Sequence, residues 1–285
     1  MSDVDDVDGS SAPLIEHLKE LRTRVMYSLL AFAACFCIAY YVSDELFLVL
    51  SKPLCTALAS RMQECNLVLI SPQEGFFVAI KIATWGGFAL AFPVVGYQMW
   101  RFVAPGLYRN EKNAFLPFLL ASPIMFAIGA AFAYFIILPF AFDFFLGFQD
   151  KQLPTWIGGK TAELGAQVLA STKFQGSADA FLSLSMKFIM AFGLCFQLPV
   201  LLTLMGKAGI ISSAGLRATR KYAVIAILAI AAIVTPPDVV SQLILFLAIY
   251  PLYEVSIWMI TRFERDREAR ERADGTWVEP DEDNE

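Results

Sequence analysis

The chain has 285 residues, of which 57% are hydrophobic and 17% charged, against about 45–50% and about 25% in a soluble domain. That balance excludes a soluble globular protein and marks an integral membrane protein. Net charge is −5, but 14 of the 27 carboxylates fall at Asp3, Asp5, Asp6, Asp8 and within Glu264–Glu285, so the acidity belongs to solvated tails and points to neither a basic partner nor nucleic acid.

Residues 1–12 read as a disordered acidic tail. Ser10 and Ser11 can cap a helix whose first turn suits Pro13. Leu14, Leu18, Leu21 and Val25 recur at helical spacing, which predicts a short interfacial helix over Pro13–Arg24, with Glu16 and Glu20 on one side of it. The first apolar run is already a full span, so no cleavable signal peptide is expected. Apolar segments then predict spans at about 25–42, 75–100, 114–142 and 180–206. Between them, Ser43–Glu74 and Asp143–Asp179 carry Pro, Gly and amphipathic stretches that can form small caps.

The last apolar stretch, Tyr222–Ile260, is 39 residues long and is broken once, at Thr235-Pro236-Pro237-Asp238. A bilayer core about 30 Å thick takes about 20 helical residues, so 39 is too many for one span and slightly few for two. Basic residues flank both ends: Lys207, Arg217, Arg220 and Lys221 before, and Arg262, Arg265, Arg267, Arg270 and Arg272 after. The positive-inside rule places both flanks in the cytoplasm and demands a reversal at the Pro pair. The spans are therefore 222–234 and 239–260, the first too short to cross an unperturbed bilayer. Residues 264–285 form a charged cytoplasmic tail.

Lys19, Arg22, Arg24, Arg101, Arg109 and Lys112 join those nine on the inner side, leaving Lys52, Arg61, Lys151, Lys160 and Lys173 outside. Both termini are thus expected in the cytoplasm. Lys81 and Lys187 lie inside spans; Lys187 is expected to snorkel to the outer surface, and the same route is open to Lys81. Eight prolines in or at the ends of spans favour a curved bundle. Cys55 and Cys65 share the first outer loop, where a bond is sterically feasible; free thiols are the expected state.

Catalysis has no visible machinery. One histidine, His17, excludes a multi-histidine metal site, the five cysteines form no CxxC pattern, and nucleotide, hydrolase and metalloprotease motifs are missing. No enzyme activity, metal or cofactor is expected. An intramembrane enzyme lacks a nucleophile–base pair. A secondary transporter would show internal repeats and charged midplane sites, whereas the midplane holds Gln197 alone, in a Phe-Gln-Leu-Pro setting that suits an interhelical hydrogen bond.

Seven stretches carry a resemblance: His17-Leu-Lys-Glu-Leu-Arg22, Lys52-Pro53-Leu54, Tyr97-Gln-Met-Trp-Arg-Phe-Val-Ala-Pro105, Leu107-Tyr-Arg-Asn-Glu111, Phe132-Ala-Tyr-Phe135, Met190-Ala-Phe-Gly193 and Thr235-Pro-Pro-Asp238. In that order, from about Pro13 to Phe263, the chain resembles the TatC family, the polytopic subunits of the twin-arginine protein translocase. The resemblance implies a six-helix, glove-shaped bundle in the cytoplasmic (inner) membrane. It implies a complex with single-span TatA- and TatB-type subunits that exports folded proteins on the proton-motive force. Its ligands would be twin-arginine signal peptides of cargo proteins. Glu20 and Glu111 match the family's recognition residues, Phe102, Pro105 and Leu107 the loop that shapes the site, and Arg22 a further N-terminal position. Pro53 and Tyr134 match positions on the outer half, and Asp238 the outer hairpin acid. Two departures stand out. Gln197 replaces the family's usual glutamate, which leaves polar contact with a partner helix but no titratable acid, and the loop 143–179 is longer than usual.

Overall fold

The structure, a computed structural model, describes residues 8–103, 112–147, 176–234 and 239–273. In chain order the elements are α1 (Asp8–Tyr41), α2 (Ser43–Ala59), β1 (Leu67–Val68), α3 (Glu74–Val103), α4 (Lys112–Phe132), a π-helical segment (Ala133–Ile137), α5 (Leu138–Gly147), β2 (Gly176–Ser177), α6 (Ala178–Cys195), α7 (Leu198–Lys207), α8 (Ser213–Ala218), α9 (Arg220–Val234) and α10 (Val239–Ala273). Apart from two residue pairs of parallel strand, the described structure is helical. Among the described residues five stretches are long and apolar enough to cross a membrane: Leu18–Tyr41, Glu74–Met99, Leu120–Gly147, Ala178–Lys207 and Gln242–Arg270.

The chain divides into two compact units, one of residues 1–113 and 122–193, the other of residues 114–121 and 194–285. In the first, α1 and α3 run antiparallel with backbones in close approach. A Cβ on Gly87 would lie 2.8 Å from Phe36 Cα and 2.9 Å from its N, so only glycine permits this contact. Small residues at such crossings let dispersion forces substitute for the hydrophobic effect that lipid removes. Aromatic rings fill the interior, with Phe92 stacked on Phe126 at 4.2 Å and Phe132 5.7 Å from Phe192.

The loop after α1 folds into a cap, as its composition suggests. α2 buries Ser51, Pro53, Leu54, Ala57 and Leu58, and β1 pairs with β2, Leu67 opposite Gly176. Glu74 fastens this corner. Its carboxylate accepts from the backbone N–H of Ile70 and of Ser71, from the Ser177 hydroxyl at 2.8 Å and from the Asp179 N–H at 3.2 Å. Cys55 and Cys65 are bonded to each other, which corrects the expectation of free thiols: the end of α2 and the turn after it bring their Cα atoms to 5.1 Å, inside the range a disulfide spans.

Three further expectations change. Pro13–Arg24 is not a separate interfacial helix but part of α1, which already starts at Asp8, inside the segment assigned to a disordered tail. At the other end, α10 runs to Ala273, so the first ten residues of the charged tail are helical. Lys81 has partners that the snorkelling reading did not include: its Nζ donates to the Asp179 carboxylate and, at 3.3 Å, to Ser183 Oγ, while both charged side chains stay partly exposed.

In the second unit, α9 and α10 form the antiparallel hairpin that the charge pattern demands. Gln242 Nε2 donates to Leu228 O at 3.0 Å, and Arg220 pairs with Glu254 at 2.8 Å. With 15 residues, α9 is about 22 Å long at 1.5 Å per residue and falls short of the bilayer core. α7 packs on α10 through Gly206, where a Cβ would meet Ile260 Cγ1 at 2.7 Å. Lys207 Nζ lies 5.5 Å and 5.6 Å from the ring centres of Phe118 and Phe263.

Candidate functional site

Glu20 sits on α1 with its side chain 32% exposed. Its Oε1 accepts from Arg24 Nη2 at 2.9 Å, and Arg24 Nη1 reaches Gln98 Oε1 on α3 at 3.4 Å. Helical spacing explains the first contact, since residues four apart share a face. The α1–α3 packing explains the second. Among the described residues no donor meets Glu20 Oε2, so the carboxylate keeps acceptor capacity for a ligand while Arg24 holds its orientation. Arg24 Nε is buried without a hydrogen-bond partner, so the guanidinium is less than fully satisfied. Arg22 is exposed on the same helix.

Phe102 lies in the last turn of α3 rather than in a loop. Pro105, Leu107 and Glu111 lie outside the described residues, as does Asp238. Arg24 and Gln98 were missed as neighbours of Glu20. The i, i+4 spacing from Glu20 pointed to Arg24, but nothing in the sequence linked Gln98, 74 residues away from Arg24, to it.

Pro53 and Tyr134 come together. Both line a cavity of about 280 Å³ with Lys52, Phe135, Pro139 and Asp143. Tyr134 belongs to the π-helical segment, and its hydroxyl donates to Val49 O at 2.8 Å; that carbonyl is one turn before Pro53, which has no N–H to offer it. Arg61 donates to the backbone O of Asp143, one of the lining residues, at 2.9 Å.

Gln197 stands where the fourth span breaks. α6 ends at Cys195, Phe196 and Gln197 form a turn, and α7 restarts with Pro199 in its first turn. Proline cannot continue the ladder of α6, so the break follows directly from Leu198-Pro199. Gln197 is half-buried and precedes α7 without capping it.

A family model described as Sec-independent protein translocase protein (TatC) matches residues 16–247. The Sec-independent protein translocase protein TatC of Magnetococcus marinus is 40% identical over 263 residues, 92% of this chain and 89% of that protein. The protein of the same name from Escherichia coli K12 is 34% identical over 246 residues, 86% of this chain and 87% of that one. A crystal structure of the twin-arginine translocase receptor TatC, 38% identical, matches with a TM-score of 0.70 over 86% of this chain and 98% of that one. With matches of this extent in sequence and in fold, the chain belongs to the TatC family of Sec-independent protein translocase proteins.

Proposed function

We propose that this protein is the signal-peptide receptor of a twin-arginine translocase in the cytoplasmic membrane, with both termini in the cytoplasm. It works with single-span TatA- and TatB-type subunits to export folded proteins on the proton-motive force. In this reading it is a transport component and turns over no substrate.

Glu20 carries the reading: a half-exposed carboxylate, oriented by Arg24, with one oxygen unengaged among the described residues. An arginine guanidinium offers a planar fork of N–H donors that a carboxylate accepts two at a time. Glu20 takes one signal arginine and Glu111 the other, while Arg22, Phe102, Pro105 and Leu107 shape the surroundings. Arg24 keeps Glu20 oriented, and retains Gln98 when the incoming arginine competes for the carboxylate.

A charge-assisted hydrogen bond contributes about 1.5–3 kcal/mol, so Glu20→Ala and Glu111→Ala should each weaken twin-arginine peptide binding about 10- to 150-fold. Changing the peptide's Arg-Arg to Lys-Lys should reproduce much of that loss, and should matter less in the Glu111→Ala background. The test is a double-mutant cycle on peptide affinity. Strict additivity of the two changes would refute direct reading of the arginines.

Pro53, Tyr134, Gln197 and Asp238 are assigned to partner contact and transport. Gln197 at the α6–α7 break offers its amide to a partner's helix, a bond of about 0.6–2 kcal/mol. Gln197→Leu should lower the partner content of the purified complex and leave peptide affinity intact; full partner content would remove this assignment.

A further inference from the structure

A second charged cavity, of about 580 Å³, opens on the α8–α9–α10 side of the second unit. Four arginines line it: Arg217, Arg220, Arg262 and Arg265. Two carboxylates, Glu254 and Asp266, share the lining. Their bonding is unequal. Arg220 is spent on Glu254, at 2.8 Å, and the other Glu254 oxygen accepts from Tyr250 at 2.9 Å. Arg217 donates only to the Thr261 hydroxyl, at 3.0 Å. Among the described residues Arg217, Arg262 and Arg265 have no carboxylate partner, so three guanidinium groups face one cavity against the single charge of Asp266.

The frame that holds them is rigid. Ser213 donates from both its N–H, at 2.9 Å, and its hydroxyl to the Glu264 carboxylate, and Tyr253 donates to Leu216 O at 2.7 Å. These bonds pin α8 to α10 in the turn just before Arg217, so the arginines are brought together before any ligand arrives. Preorganisation of this kind removes ordering entropy from binding.

Depth identifies the occupant. Beyond Glu254, which Arg220 already pairs, α10 carries no charge until Arg262. Trp258, one turn inside, is 62% exposed and lies 5.9 Å from the Arg262 guanidinium. An exposed tryptophan topped by arginine is the arrangement of a membrane–water boundary, the level of lipid phosphates. Basic pockets at that level attract anionic headgroups. We infer that Arg217, Arg262 and Arg265 form a binding site for the phosphate of an anionic membrane lipid headgroup, with Trp258 against the upper part of its acyl chains.

The test is native mass spectrometry of the full-length protein released from mixed micelles. Phosphatidylglycerol is titrated against phosphatidylcholine, with inorganic phosphate in a parallel arm. Wild-type protein should retain phosphatidylglycerol in preference to phosphatidylcholine. Arg265→Gln and Arg262→Gln should each weaken that retention about five-fold, whereas Arg270→Gln, which removes the same charge from α10 outside the cavity, should leave it unchanged. Equal retention of the two lipids by wild-type protein would overturn the proposal. So would an equal loss in Arg270→Gln, which would reduce the effect to general surface charge. Inorganic phosphate occupying the site while phosphatidylglycerol does not would overturn it as well, because the ligand would then be a free anion.

Discussion

Glu74 and Glu20 are both carboxylates at the end of a span in the same compact unit, and they are used in opposite ways. Glu74 is 8% exposed and accepts four hydrogen bonds, from two residues before it in sequence and from two more than 100 residues later. Glu20 has a side chain 32% exposed and accepts one, from a neighbour on its own helix. A carboxylate saturated by backbone donors is a rivet, since every lone pair is committed and no ligand can compete. One with a single partner and an unengaged oxygen is a socket. The contrast gives structural strength to the cap and leaves acceptor capacity at the Glu20 end, where the proposed recognition would act, although both residues are glutamates beside a membrane.

The contrast can be broken at three points. The largest effect should come from Glu74→Ala, which strands the Ile70, Ser71 and Asp179 N–H groups and the Ser177 hydroxyl. At about 1 kcal/mol or more for each donor left unsatisfied, the loss should be about 3–4 kcal/mol, read as a lowered thermal midpoint of the detergent-solubilised protein. A change under 1 kcal/mol would mean that the cap holds without its rivet. Next comes the Cys55–Cys65 bond, which closes a short loop beside the Pro53 cavity; Cys55→Ser should lower stability by about 2–3 kcal/mol. Reduction of the wild-type protein should match that variant in the same unfolding measurement, and a stability equal to that of the oxidised form would remove the bond from the account. The smallest effect belongs to Glu20→Ala, which deletes one i, i+4 pair worth about 0.5 kcal/mol. If its thermal midpoint fell as far as that of Glu74→Ala, Glu20 would be a structural group and the socket reading would fail.

Much of the hairpin was legible because charge patterning acts over whole loops: basic flanks on both sides of Tyr222–Ile260 left no alternative to a reversal, and Arg220–Glu254 and Gln242–Leu228 now register it. The pairing of Lys81 with Asp179 was not legible, since 98 residues separate them and neither span's composition reports the depth of the other. The start of the first span was misplaced for a different reason. Polar residues up to Arg24 mark where the membrane begins, and that boundary was taken for a helix boundary; no Gly or Pro interrupts Leu14–Tyr41, so the helix had no cause to stop. Of the proposed site residues, Glu20 was readable from its motif, while the Arg24–Gln98 support that orients it depends on how two helices meet.

The π-helical segment Ala133–Ile137 has a consequence for phase. Leu138 N–H donates to Ala133 O, five residues back instead of four, so this turn holds one residue more than its neighbours. Each residue of an α-helix advances the azimuth by about 100°, and everything from Leu138 onward is therefore carried round the axis by that amount. Two apolar stripes out of step with each other lie along one rod, and a single helical ruler laid on the sequence from Ala114 to Phe142 misassigns the faces of one half. Removing one residue from this segment would restore the ruler and destroy the fit. Phe142 would swing away from Phe181, now 5.2 Å distant, and the Asp143 carbonyl would leave the reach of Arg61.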